Sequence, residues 1–305
     1  MASILGWVAF AVVVTGMLCL DLGIFHRKAH SVGFREAAVW SVVWIVLALV
    51  FAGGVWWGRS QGDAVLFVTS WLVEWSLSLD NIFVFMVIFT FFQVPDHYRH
   101  RLLFFGILGS VVMRALFIVA GIAIIQRFAW VTWVLGAFLV ITGVRMAVSH
   151  DEEIHPDRNP LLRLFRRFFP VAQGYGEGHF FVREGGRRMA TPLFVVLLVV
   201  ETTDVVFAVD SVPAVLAITS DPFLVYTSNV FAILGLRSMY FALSGTMARM
   251  RFLHYGLAAI LSFVGVKMLL ASVYHVAPLA SLAVIGTLLG LSIVMSLVFP
   301  SPPEP

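Results

Sequence analysis

Charged residues are scarce in this chain. Of its 305 residues, 60% are hydrophobic, and Asp, Glu, Lys and Arg together make up only 12%. A soluble globular domain carries a charged fraction of about 25%, which gives it a hydrated surface. The shortage of charge therefore excludes an ordinary soluble domain and predicts a protein that is embedded in lipid.

Cysteine and the common catalytic motifs are also rare or missing. Cys19 is the only cysteine, so neither an intramolecular disulfide nor a cysteine-rich zinc site can form. All histidines lie in predicted loops or at the ends of predicted spans, and HExxH, GxGD and serine–lysine arrangements are absent. We therefore expect neither an enzyme nor an organic cofactor. We also expect no nucleic-acid partner.

Long apolar runs dominate what is present. The N-terminus has no basic start and no small-residue cleavage site, and its apolar run is too long for a signal peptide, so we predict a retained transmembrane helix. The predicted spans lie near 2–24, 38–58, 64–92, 102–125, 128–149, 190–218, 222–245, 252–273 and 277–299. Since a span needs about 20 apolar residues, the predicted fold is all-α and polytopic, one transmembrane domain of about nine helices over residues 1–305.

Basic residues predict the orientation, because they concentrate in cytoplasmic loops. The predicted outer loops hold only Arg59 and Arg127. The predicted inner loops hold Arg27, Lys28, Arg35, Arg99, Arg101, Arg158, Arg163, Arg166, Arg167, Arg183, Arg187, Arg188, Arg249 and Arg251. This bias predicts an N-terminus outside the membrane and a cytoplasmic C-terminus, with residues 150–189 in the cytoplasm.

The predicted cytoplasmic loop, residues 150–189, contains the basic and apolar stretch NPLLRLFRRFFP. Its apolar residues recur at helical spacing on one face, opposite the arginines. They are Leu161, Leu164, Phe165 and Phe168, opposite Arg163, Arg166 and Arg167. This pattern is typical of an interfacial helix on anionic lipid headgroups. A helical linker with snorkelling arginines explains it equally well.

Two predicted spans carry acidic residues in an apolar setting. The acids are Glu74 and Asp80 in WLVEWSLSLDNIFVFMVIF, residues 71–89, and Glu201, Asp204 and Asp210 in the span 190–218. A carboxylate at a helix centre costs about 2.5–3.5 kcal/mol on insertion scales. The five acids must therefore be paired, protonated or bound to a cation.

The two acidic spans also open two similar segments. The matches are Asp80-Asn81 with Asp210-Ser211, GILGSVVMRALF (106–117) with AILGLRSMYF (232–241), and GVRM (143–146) with GVKM (265–268). We predict two copies of a three-helix unit, residues 64–149 and 190–273, followed by a final span at 277–299. The predicted orientation inverts one copy relative to the other, which is typical of secondary transporters.

Four basic residues within predicted spans are candidate partners of these acids. Arg114 and Arg237 lie deep enough to form ion pairs. Arg145 and Lys267 lie near span ends, where snorkelling or structural roles are expected. Because the acids outnumber even all four bases, the surplus of negative charge favours a cation site.

All the candidate ligands are oxygen atoms. Asp80 and Asp210 are the predicted primary ligands of one cation near the midplane, and both spans are expected to kink or unwind there, the second at Pro213. Glu74, Glu201 and Asp204 are predicted to supply further ligands or carry coupling protons, with Asn81, Ser211, Ser78, Thr203 and Asn229 as supporting polar residues. Such a site suits Mn²⁺, Mg²⁺ and Ca²⁺ without separating them.

Three long motifs resemble one family. EWSLSLDNIFVF (74–85), ETTDVVFAVDSVPAVLAIT (201–219) and DPFLVYTSNVFAILGLRSMYF (221–241) are similar to the TerC family of integral membrane proteins. The resemblance implies a multi-pass protein of a bacterial-type inner (plasma) membrane that exports Mn²⁺, in a family also associated with tellurite resistance. It carries over the five acids as functional residues. It includes Asp21, as a structural cap or a path-lining group.

Two other functions fit part of the sequence. An anion or tellurite-resistance protein would use Arg114, Arg237, Arg145 and Lys267, but the surplus of negative charge argues against it. A membrane scaffold for secreted or membrane proteins would need the acids only as structural partners. Transport direction, coupling ion and oligomeric state do not follow from the sequence.

Overall fold

The computed structural model describes residues 4–25, 34–128, 130–148, 170–172, 174–175, 178–184, 187–243, 252–271, 273–274 and 276–299. The protein is an all-α, polytopic membrane protein with one short β-hairpin. Its helices are α1 Ile4–Phe25, α2 Phe34–Gly58, α3 Gln61–Phe91, α4 Asp96–Arg127, α5 Val131–Val148, α6 Pro192–Leu216, α7 Pro222–Leu234, α8 Leu236–Leu243, α9 Leu253–Leu270 and α10 Pro278–Val298. The strands are β1 Phe181–Glu184 and β2 Arg187–Ala190.

Within the described ranges, seven helices are long and apolar enough to cross a membrane. They are α2 to α6, α9 and α10, and each coincides with a predicted span. The predicted first span corresponds to α1, and the predicted span 222–245 corresponds to α7 and α8 together. The multi-pass architecture is confirmed, whereas the count of nine spans and the limits of the two repeats stay predictions.

The predicted span 222–245 is not one continuous helix. α7 ends at Leu234 and α8 begins at Leu236, with a turn at Gly235 between them. Glycine lowers helix stability because it gains the most backbone freedom on unfolding. The Ser238 hydroxyl donates to the Gly235 carbonyl oxygen at 2.9 Å, which satisfies one backbone acceptor at the break.

The predicted unwinding of the two acidic spans does not occur, because α3 and α6 are α-helical at every residue. Pro213 lies in the last turn of α6, where its missing donor disturbs little of the helix. Hydroxyl groups of both helices donate to carbonyl oxygens of their own preceding turns. Examples are Ser76 to Leu72 at 2.6 Å and Thr203 to Val199 at 2.8 Å.

The starts of α3 and α7 lie side by side, so these helices run in the same direction. Arg59, just before α3, contacts Asp221, the N-cap of α7, and further along Phe67 packs against Phe231 with 6.1 Å between ring centroids. α3 also packs against α2, α6 and α10, which places it at the centre of the bundle.

α4 and α6 also run in the same direction. A Cβ at Gly106 would lie 3.1 Å from Val200, and one at Gly121 would lie 2.9 Å from Leu216, so both helices advance together. α3 and α4 are joined by a tight turn in which the Val94 N–H donates to the Phe89 carbonyl oxygen at 2.8 Å. Since α4 reverses the direction of α3, α3 and α6 run in opposite directions. The inverted duplication itself stays a prediction.

α5 and α9 pack in backbone contact through two glycines. A Cβ at Gly143 would lie 2.7 Å from the Ala258 carbonyl oxygen, and one at Gly265 would lie 2.7 Å from the Gly136 carbonyl oxygen. Each glycine faces the residue seven positions before the other, so the contact is symmetric and the helices are antiparallel. Small residues permit such close approach between helices in lipid.

We expect Gly143→Ala to destabilise the protein by about 1–3 kcal/mol, because the new methyl group must push α5 away from the α9 backbone. Thermal unfolding in detergent measures the effect. Gly290→Ala on α10 is the matched control, because no atom lies within 4 Å of its Cβ position. Equal melting temperatures for the two variants would contradict the backbone contact.

Part of the predicted cytoplasmic loop lies at the end of α3 and the start of α4. The Tyr175 hydroxyl donates to the Phe92 carbonyl oxygen at 2.6 Å, and the Arg101 guanidinium lies 5.2 Å from the Phe180 ring centroid. The β1–β2 hairpin in this loop was not predicted from the sequence. The predicted interfacial helix from Leu161 to Phe168 lies outside the described residues.

Candidate functional site

Two helix faces carry the buried polar residues of the site. Glu74 and Asn81 in α3, and Asp204 and Ser211 in α6, are each seven residues apart, which is nearly two helical turns. All four side chains are buried. Each pair therefore shares one buried face of its helix, and the predicted match between the two spans extends to burial.

The Glu74 carboxylate forms an ion pair with Arg114 of α4. Nη1 of Arg114 donates to Oε2 of Glu74, and the side chains are 1% and 0% exposed. Within the described part of the chain, Oε1 of Glu74 and both Nε and Nη2 of Arg114 have no hydrogen-bond partner. The predicted role of Arg114 as a buried partner is supported, and one oxygen of Glu74 is already taken by that partner.

Asp204 of α6 approaches the same guanidinium from the other side. Its carboxylate faces Arg114 and the Ser110 hydroxyl of α4, and its side chain is buried. Arg114 therefore lies between an acid of α3 and an acid of α6. Two carboxylates around one guanidinium leave a surplus of negative charge.

Glu201 lies one turn before Asp204 and points towards α4. Its carboxylate occupies the space where a Cβ of residue 109 would be, and residue 109 is glycine. Glu201 is partly buried and interacts electrostatically with Asp204. The sequence comparison aligned Gly109 with Gly235 but gave no reason for it; its role here is to leave room for the carboxylate.

The predicted primary ligands lie on other faces of their helices. Asp80 and Asp210 follow Glu74 and Asp204 by six residues, which is about 120° around a helix. The Asp210 side chain is partly exposed, and the side chain of Asp80 is outside the described part of the structure. Because α3 and α6 remain helical, backbone unwinding does not bring these acids onto the faces of Glu74 and Asp204.

Further polar groups lie buried around these helices. The predicted supporting residues Ser78 and Asn229 are 0% and 1% exposed, and Ser70, which the sequence reasoning missed, is 0% exposed. Within the described ranges, the hydroxyls of Ser70, Ser78 and Ser211, and both amide atoms of Asn229, lack a hydrogen-bond partner. Ser70 could have been found from its spacing of four residues before Glu74.

The remaining predicted basic residues occupy different environments. Arg237 is buried at the start of α8, Arg145 is exposed near the end of α5, and Lys267 is partly buried in the last turn of α9. The exposure of Arg145 agrees with snorkelling to the lipid headgroups.

Among the side chains that the structure describes, no three His, Cys, Asp or Glu residues come close enough together to hold a metal ion. Asp80 and Asp21 are outside that set. The predicted ligand set of five acids is therefore not brought together within the described residues, and it stays a prediction.

Residues 59–302 match the integral membrane protein TerC family. The chain belongs to this family. It is 50% identical to the membrane protein STKORF319 of Myxococcus xanthus, over 96% of this chain and 92% of that protein. It is 44% identical to a protein of Escherichia coli K12 named membrane-bound redox modulator Alx, over 95% of this chain and 93% of that protein. No solved structure matches the chain.

In this TerC-family chain, a second ion-pair cluster joins the starts of α3 and α7. Arg59 contacts Asp63 at 3.0 Å and Asp221 at 2.5 Å. Asp221 also caps α7 by accepting from the backbone N–H groups of Phe223 at 2.9 Å and Leu224 at 3.2 Å. Partial burial raises the pKa of Asp221, but the Arg59 guanidinium and these N–H groups outweigh it and hold the pKa below its ordinary value.

Substitutions at Asp221 should separate its two roles. Asp221→Asn removes the ion pair but keeps a good N-cap, so we expect a loss of stability below about 1 kcal/mol, since the pair is partly exposed. Asp221→Ala also removes the cap and should cost about 1 kcal/mol more. Thermal unfolding of both variants checks the difference, and equal losses would contradict a capping role.

The ion pair should also depend on pH. Because the folded-state pKa of Asp221 is lowered, its stabilisation is present above the unfolded pKa of about 3.9 and is lost as the pH falls through the folded-state pKa. The stability difference between the wild type and Asp221→Asn should therefore shrink as the pH falls below about 4.

Proposed function

We propose that this chain is a secondary transporter that exports a hard divalent cation, with Mn²⁺ as its cargo. The observation that carries the proposal is the arrangement around Arg114, where Glu74 and Asp204 from two helices share one guanidinium deep in the bundle. With Glu201 beside them, the acids outnumber the base. Surplus negative charge inside a membrane protein favours a cation and disfavours an anion.

The neutral groups nearby support an oxygen-rich path. Buried hydroxyl and amide groups of Ser78, Ser211 and Asn229, without partners among the described residues, can replace water around a cation. Hard cations such as Mn²⁺, Mg²⁺ and Ca²⁺ prefer oxygen ligands. Asp80 and Asp210 are the proposed primary ligands, in a conformation that brings them together.

Membership of the TerC family and the parallel and antiparallel packing of the helices also support transport. α3 and α6 run in opposite directions and each carries a buried acid, as expected for inverted repeats around a midplane site. We place the protein in a bacterial-type inner (plasma) membrane, with the N-terminus outside and the C-terminus in the cytoplasm. Contacts with anionic lipids are proposed for the basic loop 150–189.

Relatives of this chain carry the name redox modulator, which suggests a different class of function. The chain has one cysteine, Cys19, so a dithiol–disulfide cycle within a single chain is impossible. Transport of a redox-active metal ion would connect the two descriptions without thiol chemistry.

Flux in proteoliposomes tests the proposal. Purified protein reconstituted in vesicles should move Mn²⁺ down its gradient faster than protein-free vesicles, with Mg²⁺, Ca²⁺ and tellurite as competitors. Cells that express the protein should accumulate less Mn²⁺ than cells that lack it. Tellurite flux without Mn²⁺ flux would favour the anion hypothesis, and no flux with unchanged metal content would favour a scaffold.

A further inference from the structure

Arg114 lies where α3, α4 and α6 meet. Its guanidinium donates to Glu74 through Nη1 only and faces Asp204, while its side chain is 1% exposed. Nε and Nη2 have no hydrogen-bond partner among the described residues, and neither has Oε1 of Glu74. The guanidinium is therefore a cation held between two carboxylates with part of its donor capacity unused.

We propose that Arg114 is a tethered cation that takes the place of the metal ion when the transporter is empty. This inference rests on the cation transport proposed above. Arg114 neutralises Glu74 and Asp204 in the empty state, and a bound metal ion displaces it from at least one of them. The free Oε1 of Glu74 is the atom that the metal ion reaches first.

The physical reason is the energy of uncompensated charge in lipid. Two buried carboxylates without a counter-ion repel each other and lose hydration, so an empty transporter lacking Arg114 would not pass easily between its two conformations. The metal-loaded transporter brings its own positive charge and needs no tethered cation. Arg114 therefore matters for the return of the empty transporter and not for the movement of the loaded one.

Arg114→Gln separates these two movements. Net efflux from Mn²⁺-loaded vesicles requires the empty transporter to return, and should fall at least about tenfold. Exchange of radioactive Mn²⁺ against unlabelled Mn²⁺ on the other side requires only the loaded form, and should stay within about threefold of wild type. Removing a competing cation should also tighten Mn²⁺ binding, measured by calorimetry, by about tenfold. Arg127→Gln, an exposed position at the end of the same helix, is the matched control.

Each outcome decides the proposal. Net efflux and exchange that both remain, or that fall together in folded protein, would overturn it and leave Arg114 as a structural partner. If Arg114→Gln does not fold, Glu74→Gln is compared with Glu74→Gln/Arg114→Gln. The double variant should bind Mn²⁺ about tenfold more tightly, and equal affinity would contradict the proposal. Absence of both net flux and exchange in the wild type would instead refute the proposed transport.

Discussion

Asp80→Asn and Asp210→Asn should each abolish Mn²⁺ flux while the protein still folds. Asparagine keeps the volume of the side chain but removes its charge, and an interaction with a charged group contributes about 1.5–3 kcal/mol. The affinity for Mn²⁺ should therefore fall about 10- to 100-fold for each substitution. Relief of repulsion among the acids should leave the empty variants as stable as the wild type or more so.

The measurement is Mn²⁺ flux in proteoliposomes, with thermal unfolding of the same preparations. Asp96→Asn is the matched control, because Asp96 is an exposed acid at the start of α4, paired with Arg99 at 2.9 Å. It should leave the flux unchanged. Wild-type rates for both Asp80→Asn and Asp210→Asn would show that the ligand assignment is wrong. Failure of both to fold would make these acids structural and favour the scaffold hypothesis.

Breaking the buried pair of Glu74 and Arg114 should have the largest effect on stability. Each single change to Gln leaves one charge without its partner among apolar side chains, which costs about 3–5 kcal/mol. Glu74→Gln should be the milder of the two, because Asp204 still faces Arg114. The double variant Glu74→Gln/Arg114→Gln removes both charges and should recover much of the loss, since two neutral amides can hydrogen-bond to each other.

A double-mutant cycle from thermal or denaturant unfolding in detergent measures the coupling between the two residues. Arg127→Gln again serves as the control and should change stability by less than about 0.5 kcal/mol, because its side chain is exposed. Additive losses in the cycle would mean that the ion pair does not stabilise the fold. Arg114 could then still compensate charge during transport, because the flux measurements do not depend on the cycle.

The sequence determined the environment of the chain and the positions of its helices. Apolar runs of span length can lie only in lipid or in a core, so the long helices from α2 to α6 follow from composition and run length. Glu74 and Asp204 stood out as polar residues in apolar runs, and burial of both follows from the same reasoning. The motifs around them identified the TerC family.

Only the tertiary structure decided which groups meet. Arg114 is 40 residues from Glu74 along the chain, and no local pattern says that the ion pair forms while Glu201 rests against Gly109. The break at Gly235 and the unbroken course of α6 through Pro213 were also settled by packing and position. The physical reason is that periodicity reports which face of a helix is buried, whereas partners depend on how separate helices pack in space.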